Sequence, residues 1–304
     1  MSTRWDGAAT KSVPAEPEQS LPVAGGCTRR NWLTGALCGG TAGLAGGIGI
    51  WPALGRSRST LDEPKPALPA DNVAATSSAP GAPDPRVDFE QAFRIEARQI
   101  QERHRLQTAE SVATLKKKYE APAFGRVNVW NQIERLAQCV DPTDTGLWGL
   151  SQWMHVRQTL AGMEQEGIDD PDLFVIAMLH DLGKLFLEIE APENVVCGGK
   201  RIDEVEPEAG LDALVYQFGH GELIYSRIKD HVPDHIAWTV RYHNIDLLDA
   251  APFMNARDEA HAEKYLLRFR RYDTNFKSVY SVPRLNMAKY RALIEQYFPA
   301  PILF

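Results

Sequence analysis

The chain lacks the cysteine pattern of a disulfide-rich or zinc-ribbon protein. Only four cysteines occur in 304 residues, and no two of them form a Cys-x-x-Cys pair. They are Cys27, Cys38, Cys139 and Cys197. Neither a disulfide framework nor a zinc motif is readable from this spacing, so we interpret Cys139 and Cys197 as ordinary thiols.

An excess of basic residues is also missing. Lysine and arginine number 33 against 40 aspartates and glutamates, which gives a net charge of −7 and an isoelectric point near 5.7. Proteins that bind nucleic acids usually present a basic face, so the composition argues against a nucleic-acid partner. With 44% hydrophobic residues, the chain is long enough for one or two packed domains.

A long, strongly apolar run is absent as well. The uncharged stretch 31–54 is rich in glycine and only mildly apolar, so it would make a poor permanent membrane helix. It follows Arg29-Arg30, and a twin arginine before such a stretch resembles a twin-arginine export signal. We interpret residues 1–55 as an export leader or membrane tether, which predicts a periplasmic or membrane-tethered protein. A simple irregular leader on a cytoplasmic protein is the alternative.

Beyond the leader, the composition changes twice. Residues 56–88 are rich in proline, alanine and serine and are predicted to be a linker, because they contain too little apolar surface to offset the entropy of ordering. From Phe89 to the C-terminus, nearly every segment has helical periodicity, and no alternating strand pattern is long enough to indicate a sheet. The sequence therefore predicts an all-α domain over residues 89–304. Its predicted helices are 89–119, 129–139, 148–163, 171–183, 211–228, 233–245, 259–272 and 286–297.

The helix predicted at 171–183 has the clearest start and end signals. Asp170 can cap it, Pro171 suits its first position, and Gly183 fits its end. Residues 173–179 are apolar on all sides, as in a central buried helix.

This central helix leads directly into His180 and Asp181, adjacent side chains that can aim a nitrogen and an oxygen at one metal. Further candidate ligands in helix-like context are His155, His220, His243 and Asp273. Imidazole and carboxylate ligands suit iron, manganese or zinc rather than calcium. Because a carboxylate has two oxygens, Asp181 can bridge two ions.

The candidate ligands divide between the two ions. The first would be completed by His155, His180 and Asp273, and the second by His220 and His243. The second ion would keep positions free, which is typical of a catalytic rather than a structural site. The remaining histidines, His104, His231, His235 and His261, lie among charged residues and are predicted to be solvated.

Several short motifs follow one another between Phe89 and Phe304. They are His155-Val156-Arg157-Gln158-Thr159, Leu179-His180-Asp181-Leu182-Gly183-Lys184, Gly219-His220-Gly221-Glu222, Arg241-Tyr242-His243, Tyr272-Asp273 with Lys277, and the tail from Tyr290 to Pro299. Through these segments the region resembles the myo-inositol oxygenase family, a helical branch of the HD-domain superfamily. Any one motif is modest, but their combination in consistent order is specific.

The resemblance implies an HD-domain-like helical bundle around a mixed-valence Fe(II)/Fe(III) pair. The family uses O2 to cleave the ring of myo-inositol, a cyclic polyol, to D-glucuronate. By resemblance, the six candidate ligands hold the irons, with Asp181 as the bridge. Lys184 and Asp181 would be the catalytic residues, and Lys184, Lys277, Gly198 and Asn244 would bind substrate.

The chain departs from the family pattern around the substrate. Gly199 stands where the family has a polyol-binding aspartate, and Asn244 stands where a serine is common. The metal centre is therefore predicted to be retained while the substrate pocket is altered, which leaves open a different diol as substrate. An HD-type metal-dependent phosphohydrolase is a second alternative, although Arg241 and Lys229 are its only faint candidates for phosphate binding. A non-catalytic sensor is the third.

Overall fold

The computed structural model describes residues 85–304, with side chains from Phe89 onward. The predicted leader and residues 56–84 of the predicted linker lie outside the described residues, so these assignments stay predictions. The first described element is a helix that starts at Pro85, four residues before the predicted start of the all-α domain.

The described residues form a helical bundle, which confirms the all-α prediction. Its α-helices are α1 (Pro85–His104), α2 (Ala109–Lys118), α3 (Val129–Arg135), α4 (Gln152–Gln165), α5 (Pro171–Leu179), α6 (His220–Ile228), α7 (Asp234–Tyr242), α8 (Leu247–Ala250), α9 (Ala256–His261), α10 (Leu267–Asn275) and α11 (Met287–Tyr297). Two short strands, β1 (Arg126–Val127) and β2 (Ile302–Leu303), pair antiparallel, with Arg126 opposite Leu303. None of the helices within 85–304 combines the length and apolar character needed to cross a membrane.

The central position of α5 is confirmed. Asp170 caps the helix by accepting a hydrogen bond from the Asp172 amide, and Pro171 occupies the first turn, as predicted. Residues 175–179 are fully buried, and α5 packs against α4, α7, α10 and α11. Burying each large aliphatic side chain contributes about 1.5–3 kcal/mol, so this helix organises the core.

The predicted end of this helix at Gly183 is wrong. α5 ends at Leu179, and Gly183 lies inside a following 3₁₀ helix, Leu182–Glu188. A Cβ on Gly183 would lie 2.2 Å from the carbonyl oxygen of His220. Glycine is therefore required here for the close approach of the start of α6, and not as a helix terminator.

Two other predicted helices are interrupted. The segment 89–119 is two helices, because Thr108 and Ser111 form a capping box that starts α2. The segment 211–228 is helical only from His220, apart from a 3₁₀ turn at Leu211–Ala213. Residues 215–217 instead pair as extended chain with residues 200–202, through Ile202 N to Val215 O and Gln217 N to Lys200 O. Such tertiary pairing overrides local helix propensity.

The segment predicted as a helix at 259–272 is one irregular helix. It begins at Ala256 behind an Asn255–Asp258 capping box, contains a π-helical turn at Ala262–Leu266, and continues as α10 to Asn275. Such turns alter which face of a helix meets its neighbours and often lie near functional sites. Here the turn immediately precedes the helix that carries Asp273.

The two described cysteines are free and buried. Burial raises the pKa of Cys139 to about 12 and that of Cys197 to about 12, so neither is a thiolate at neutral pH. The interpretation of both as ordinary thiols agrees with these surroundings.

Candidate metal centre

Six predicted ligands from five segments of the chain meet at the end of α5. His180 caps the C-terminus of α5 and Asp181 follows it. His155 lies on α4, His220 begins α6, His243 caps α7, and Asp273 lies on α10. The four histidines and Asp181 are buried, each at most 2% exposed.

The first group of ligand atoms surrounds one oxygen of Asp181. Its Oδ2 lies 3.2 Å from His180 Nε2 and 3.6 Å from His155 Nε2. Asp273 Oδ1 lies 2.8 Å from His155 Nε2 and 3.6 Å from His180 Nε2. One cation placed among these atoms could therefore take both imidazoles and both carboxylates.

A second group surrounds the other oxygen of Asp181. Its Oδ1 lies 3.3 Å from His220 Nε2 and 3.8 Å from His243 Nε2. The ligand atoms of these three residues all lie within 4.8 Å of one another, as do those of His155, His180 and Asp181. The two carboxylate oxygens thus face two different pairs of histidines, which is the geometry of a bridge between two ions.

The protonation of two histidines indicates a cation between them. Nδ1 of His220 lies 2.8 Å from the carbonyl oxygen of Val195, and Nδ1 of His243 lies 2.7 Å from that of Val240. A carbonyl only accepts, so each Nδ1 carries the hydrogen, and in a neutral imidazole Nε2 is then a bare lone pair. The two Nε2 atoms lie 3.0 Å apart, so their lone pairs face each other.

Burial keeps these two imidazoles neutral, since it lowers the pKa of His220 to about 3 and that of His243 to about 4. Two facing lone pairs repel unless a donor or a positive charge compensates them; the Asn244 amide, 3.2 Å from His220 Nε2, can compensate one of them, and a cation would compensate both. Metal–nitrogen bonds of about 2.1 Å at near right angles place two donor atoms about 3.0 Å apart, which matches the observed spacing. The donor set therefore fits metal ions of the kind that imidazole and carboxylate prefer.

The half of the centre around His155, His180 and Asp273 carries more charge than the half around His220 and His243. For Asp273, burial alone would raise the pKa, but the hydrogen bond from His155 and the charge of His180 hold it well below its usual range. The pKa of Asp181 is likewise held low by His180 and Lys184, against the effect of burial. Nδ1 of His180 donates to the Ala177 carbonyl at 2.9 Å, which aims its Nε2 at Asp181.

Lys184 is buried beside this carboxylate. Its Nζ lies 2.9 Å from Asp141 Oδ2, 3.1 Å from Asp181 and 3.1 Å from Gln152 Oε1. Burial alone would lower the pKa of Lys184, but Asp141 and Asp181 raise it well above its usual value, so the side chain stays charged. Lys184 is therefore a buried, paired cation and not a solvated lysine at a helix end.

A cavity of about 330 Å³ opens onto the centre. All four residues predicted to bind substrate line it: Lys184, Lys277, Gly198 and Asn244. Asp181, His220, His243 and Asp273 are also in its wall, so the candidate metal site is accessible to a small molecule. Lys277 donates to Asp144 Oδ2 at 2.8 Å. The Asn244 amide nitrogen lies 3.2 Å from His220 Nε2.

The loop that contains Gly198 is held by a buried histidine. His104 on α1 is only 3% exposed, and its ring nitrogens lie 2.6 Å from the Glu193 carbonyl and 3.1 Å from the Gly198 carbonyl. The prediction that His104 is solvated is therefore wrong. Of the other three histidines, His231 is exposed, while His235 and His261 are half-buried in contacts with Asp172 and Asp234, respectively.

Sequence reasoning missed several residues of the cavity. Asp141, Asp144 and Arg270 line it, but none was assigned a role. A buried lysine needs a carboxylate, so the acidic pair at 141 and 144 could have been sought as partners of Lys184 and Lys277. Arg241 and Lys229, the candidates for phosphate binding, are not in this wall; Arg241 instead pairs with Glu222 and Asp212.

Comparison with known proteins supports one family. The family model of myo-inositol oxygenase matches residues 94–200 and 199–304. A probable inositol oxygenase of Oryza sativa subsp. japonica is 26% identical over 242 residues, covering 66% of this chain and 77% of the relative. Inositol oxygenase 1 of Arabidopsis thaliana is 25% identical over 240 residues (64% and 76% covered), and the inositol oxygenase of Danio rerio is 22% identical over 213 residues (57% and 76% covered).

Proposed function

The chain belongs to the myo-inositol oxygenase family, and from that premise we propose that it is a dinuclear iron oxygenase that cleaves the ring of a cyclic polyol with O2. The first reaction to test is the conversion of myo-inositol and O2 to D-glucuronate and water. The observation that carries the proposal is the division of the Asp181 oxygens between two pairs of buried histidines.

We assign the ligands as the geometry groups them. His155, His180 and Asp273 would hold one iron, His220 and His243 the other, and Asp181 both. When bound, an iron pair supplies the activation of O2 and the redox capacity for a four-electron oxidation. The protein's part is to keep the histidines and Asp181 buried, to keep His220 and His243 neutral, and to fix the direction of three imidazoles by backbone carbonyls.

The cavity side chains would position the substrate. Lys184 and Lys277 reach the cavity as charged groups, since each is held by a carboxylate, and an ammonium beside a substrate oxygen lowers the cost of negative charge on that oxygen. The Asn244 amide and the backbone at Gly198 would offer hydrogen bonds to hydroxyl groups, which are costly to bury unpaired.

The Asp141–Lys184–Asp181 arrangement also links the substrate side of the cavity to the bridging carboxylate. Removing one member of a buried ion pair typically costs about 3–5 kcal/mol, because the partner charge is left uncompensated. We therefore assign Asp141 as the residue that positions Lys184.

The test is oxygen uptake by the full chain after anaerobic loading with iron. We expect uptake that depends on an inositol or a related diol, with a ring-opened uronate as product. Asp181→Asn, loaded in the same way, should consume no oxygen above background. Hydrolysis of nitrophenyl phosphate without any oxygen uptake would instead favour the phosphohydrolase alternative and contradict the proposal.

A further inference from the structure

Arg270 is a cation in the cavity wall that has no role in the proposed function. It lies on α10 three residues before Asp273, and residues three or four apart share one face of a helix. Lys277 follows Asp273 by four residues, and all three side chains line the cavity. One edge of the cavity thus presents two cations beside a candidate metal ligand.

The two lysines of the cavity are already paired. Lys184 contacts Asp141 and Asp181, and Lys277 contacts Asp144. Arg270 has no such partner: its guanidinium donates to the carbonyl of Ile245 at 3.1 Å, and no carboxylate of residues 85–304 forms an ion pair with it.

The Arg270 side chain has donors to spare. A guanidinium carries five N–H groups, and the bond to Ile245 uses one of them. None of its nitrogens is among the fully buried side-chain atoms that lack a partner. The remaining donors therefore keep some exposure, and the residue that carries them lines the cavity.

The charge balance of the wall indicates what these donors would meet. Its acidic residues are Asp141, Asp144, Asp181 and Asp273, and its cations are Lys184, Lys277 and Arg270. In the proposed function, Asp181 and Asp273 are taken up by metal ions. Asp141 and Asp144 then balance the two lysines, and no carboxylate of the wall is left to pair with Arg270. Asp246, outside the wall, also acts on the charge of Arg270 but forms no ion pair with it.

We propose that the substrate of this site is a polyol that carries an oxyanion group, a carboxylate or a phosphate, and that Arg270 binds this group. The proposal rests on the proposed function and specifies its substrate class. A planar guanidinium matches two oxygens of a carboxylate or phosphate, and such charged bonds are stronger than bonds to neutral hydroxyls. A partly desolvated cavity strengthens this attraction further.

The hydrogen bond to Ile245 places Arg270 near Asn244, one of the residues predicted to bind substrate. Ile245 directly follows Asn244, which lines the same cavity. An oxyanion at Arg270 would therefore lie close to the residues that orient the hydroxyl groups. A neutral polyol could accept from the same donors, but it would leave the arginine charge without a counter-ion.

The test compares three ligands by calorimetry on the full chain, loaded with iron and kept anaerobic. They are myo-inositol, myo-inositol 1-phosphate, and quinate, a cyclic polyol with a carboxylate. We expect at least one of the two anions to bind about tenfold or more tightly than myo-inositol, which corresponds to about 1.4 kcal/mol. Which anion gains this advantage distinguishes phosphate from carboxylate as the natural group.

Variants of two arginines on α10 assign the effect. Arg270→Gln should remove the advantage of the anion while changing the affinity for myo-inositol less than about twofold, and Arg270→Lys should keep part of it. Arg268→Gln is the matched control, because Arg268 is exposed and pairs with Asp170 outside the cavity; it should change none of the three affinities. If Arg270→Gln fails to fold, Arg270→Lys decides instead. Its preference for the anion over myo-inositol should be smaller than that of the wild type, and an unchanged preference would count against Arg270.

Two results would overturn the proposal. One is binding of both anions no tighter than that of myo-inositol. The other is an equal loss for neutral and anionic ligands in Arg270→Gln, which would assign Arg270 to helix packing or to hydroxyl groups. Oxygen uptake is measured separately: anion binding that depends on Arg270 without any uptake would contradict the proposed function, and would leave only the assignment of an oxyanion site to Arg270.

Discussion

The carboxylate of Asp181 is the single side chain on which both halves of the candidate centre depend. Its Oδ2 faces His155 and His180, while its Oδ1 faces His220 and His243. Each half has its own histidines, so substitutions should affect the two halves differently.

This division predicts a graded loss of iron. Asp181→Asn should reduce the iron content from two per chain to less than one, because the amide cannot bridge as a carboxylate does. His243→Ala should lose one iron and keep the other, since only the second group is damaged. Elemental analysis of the purified full chains measures both.

A surface carboxylate provides the control for this experiment. Asp172 is bonded to the Tyr297 hydroxyl and to His235, away from the centre, so Asp172→Asn should keep two irons per chain. An Asp181→Asn chain that still holds two irons would contradict the bridging role.

At the same scale, the sequence predicted the residues that meet in the candidate centre better than the residues that support them. The six positions are readable because their motifs, each modest alone, occur together in a consistent order. His104 was misjudged because its neighbours Arg103 and Arg105 indicate solvent, whereas its bonding partners lie 89 and 94 residues away. Arg270 shares a helix face with Asp273, a spacing that could have been noticed, but its lack of a carboxylate partner is a tertiary fact.

At the scale of secondary-structure elements, Glu190 connects the end of α2 to the segment 191–194 by hydrogen bonds. This carboxylate accepts hydrogen bonds from Lys118 and the Tyr119 hydroxyl at the end of α2, and from the Ala191 amide and Asn194. Burial alone would raise the pKa of Glu190, but these donors lower the pKa to about 2.

A pH-dependent stability difference follows from this lowered pKa. A carboxyl group whose pKa is depressed by folding stabilises the fold above its unfolded pKa and loses that contribution as pH falls toward its folded pKa. Glu190→Gln should therefore lower the free energy of unfolding by about 1 kcal/mol at pH 7, after allowance for solvent screening. The difference from wild type should shrink between about pH 4.5 and pH 2.

Urea unfolding across this pH range measures the difference. Glu110→Gln on the same helix is the control, since Glu110 is exposed in the first turn of α2; it should change the stability by at most a few tenths of a kcal/mol. A Glu190→Gln difference that stays constant from pH 7 to pH 2 would contradict the assignment.

Element types were predictable from the sequence, but the interruptions were not. The apolar run of α5 and its Asp170-Pro171 start are local signals, and both were confirmed. The break before α2 depends on a hydroxyl capping box, and the extended residues 215–217 depend on pairing with residues 200–202. Gly183 looks like a helix terminator in the sequence, yet its role is set by the backbone of His220, which only the tertiary fold supplies.

At the scale of the whole molecule, the predicted leader bears on the cellular location of the folded domain. The predicted leader and the twin arginine lie outside the described residues, so export stays our proposal. The twin-arginine route carries folded proteins, which is compatible with metal ions installed before export.

Replacing Arg29 and Arg30 together by lysine in the full chain should abolish export, because that route requires the arginine pair. Fractionation of expressing bacterial cells should then find the variant in the cytoplasm and the wild type in the periplasm or membrane fraction. Arg56→Lys with Arg58→Lys is the matched control and should be exported like the wild type. An unchanged distribution of the Arg29, Arg30 variant would contradict the leader assignment.

The ligands of the candidate centre come from places as far apart as His155 and Asp273, which are 118 residues apart in sequence. Any ions held there would hold α4, α6, α7 and α10 together, and α6, the end of α7 and α10 also supply walls of the neighbouring cavity. The shape of the cavity consequently depends on whether the ions are bound. A small-molecule screen on metal-stripped protein would sample a differently shaped space, and its hits would not rank ligands for the loaded form.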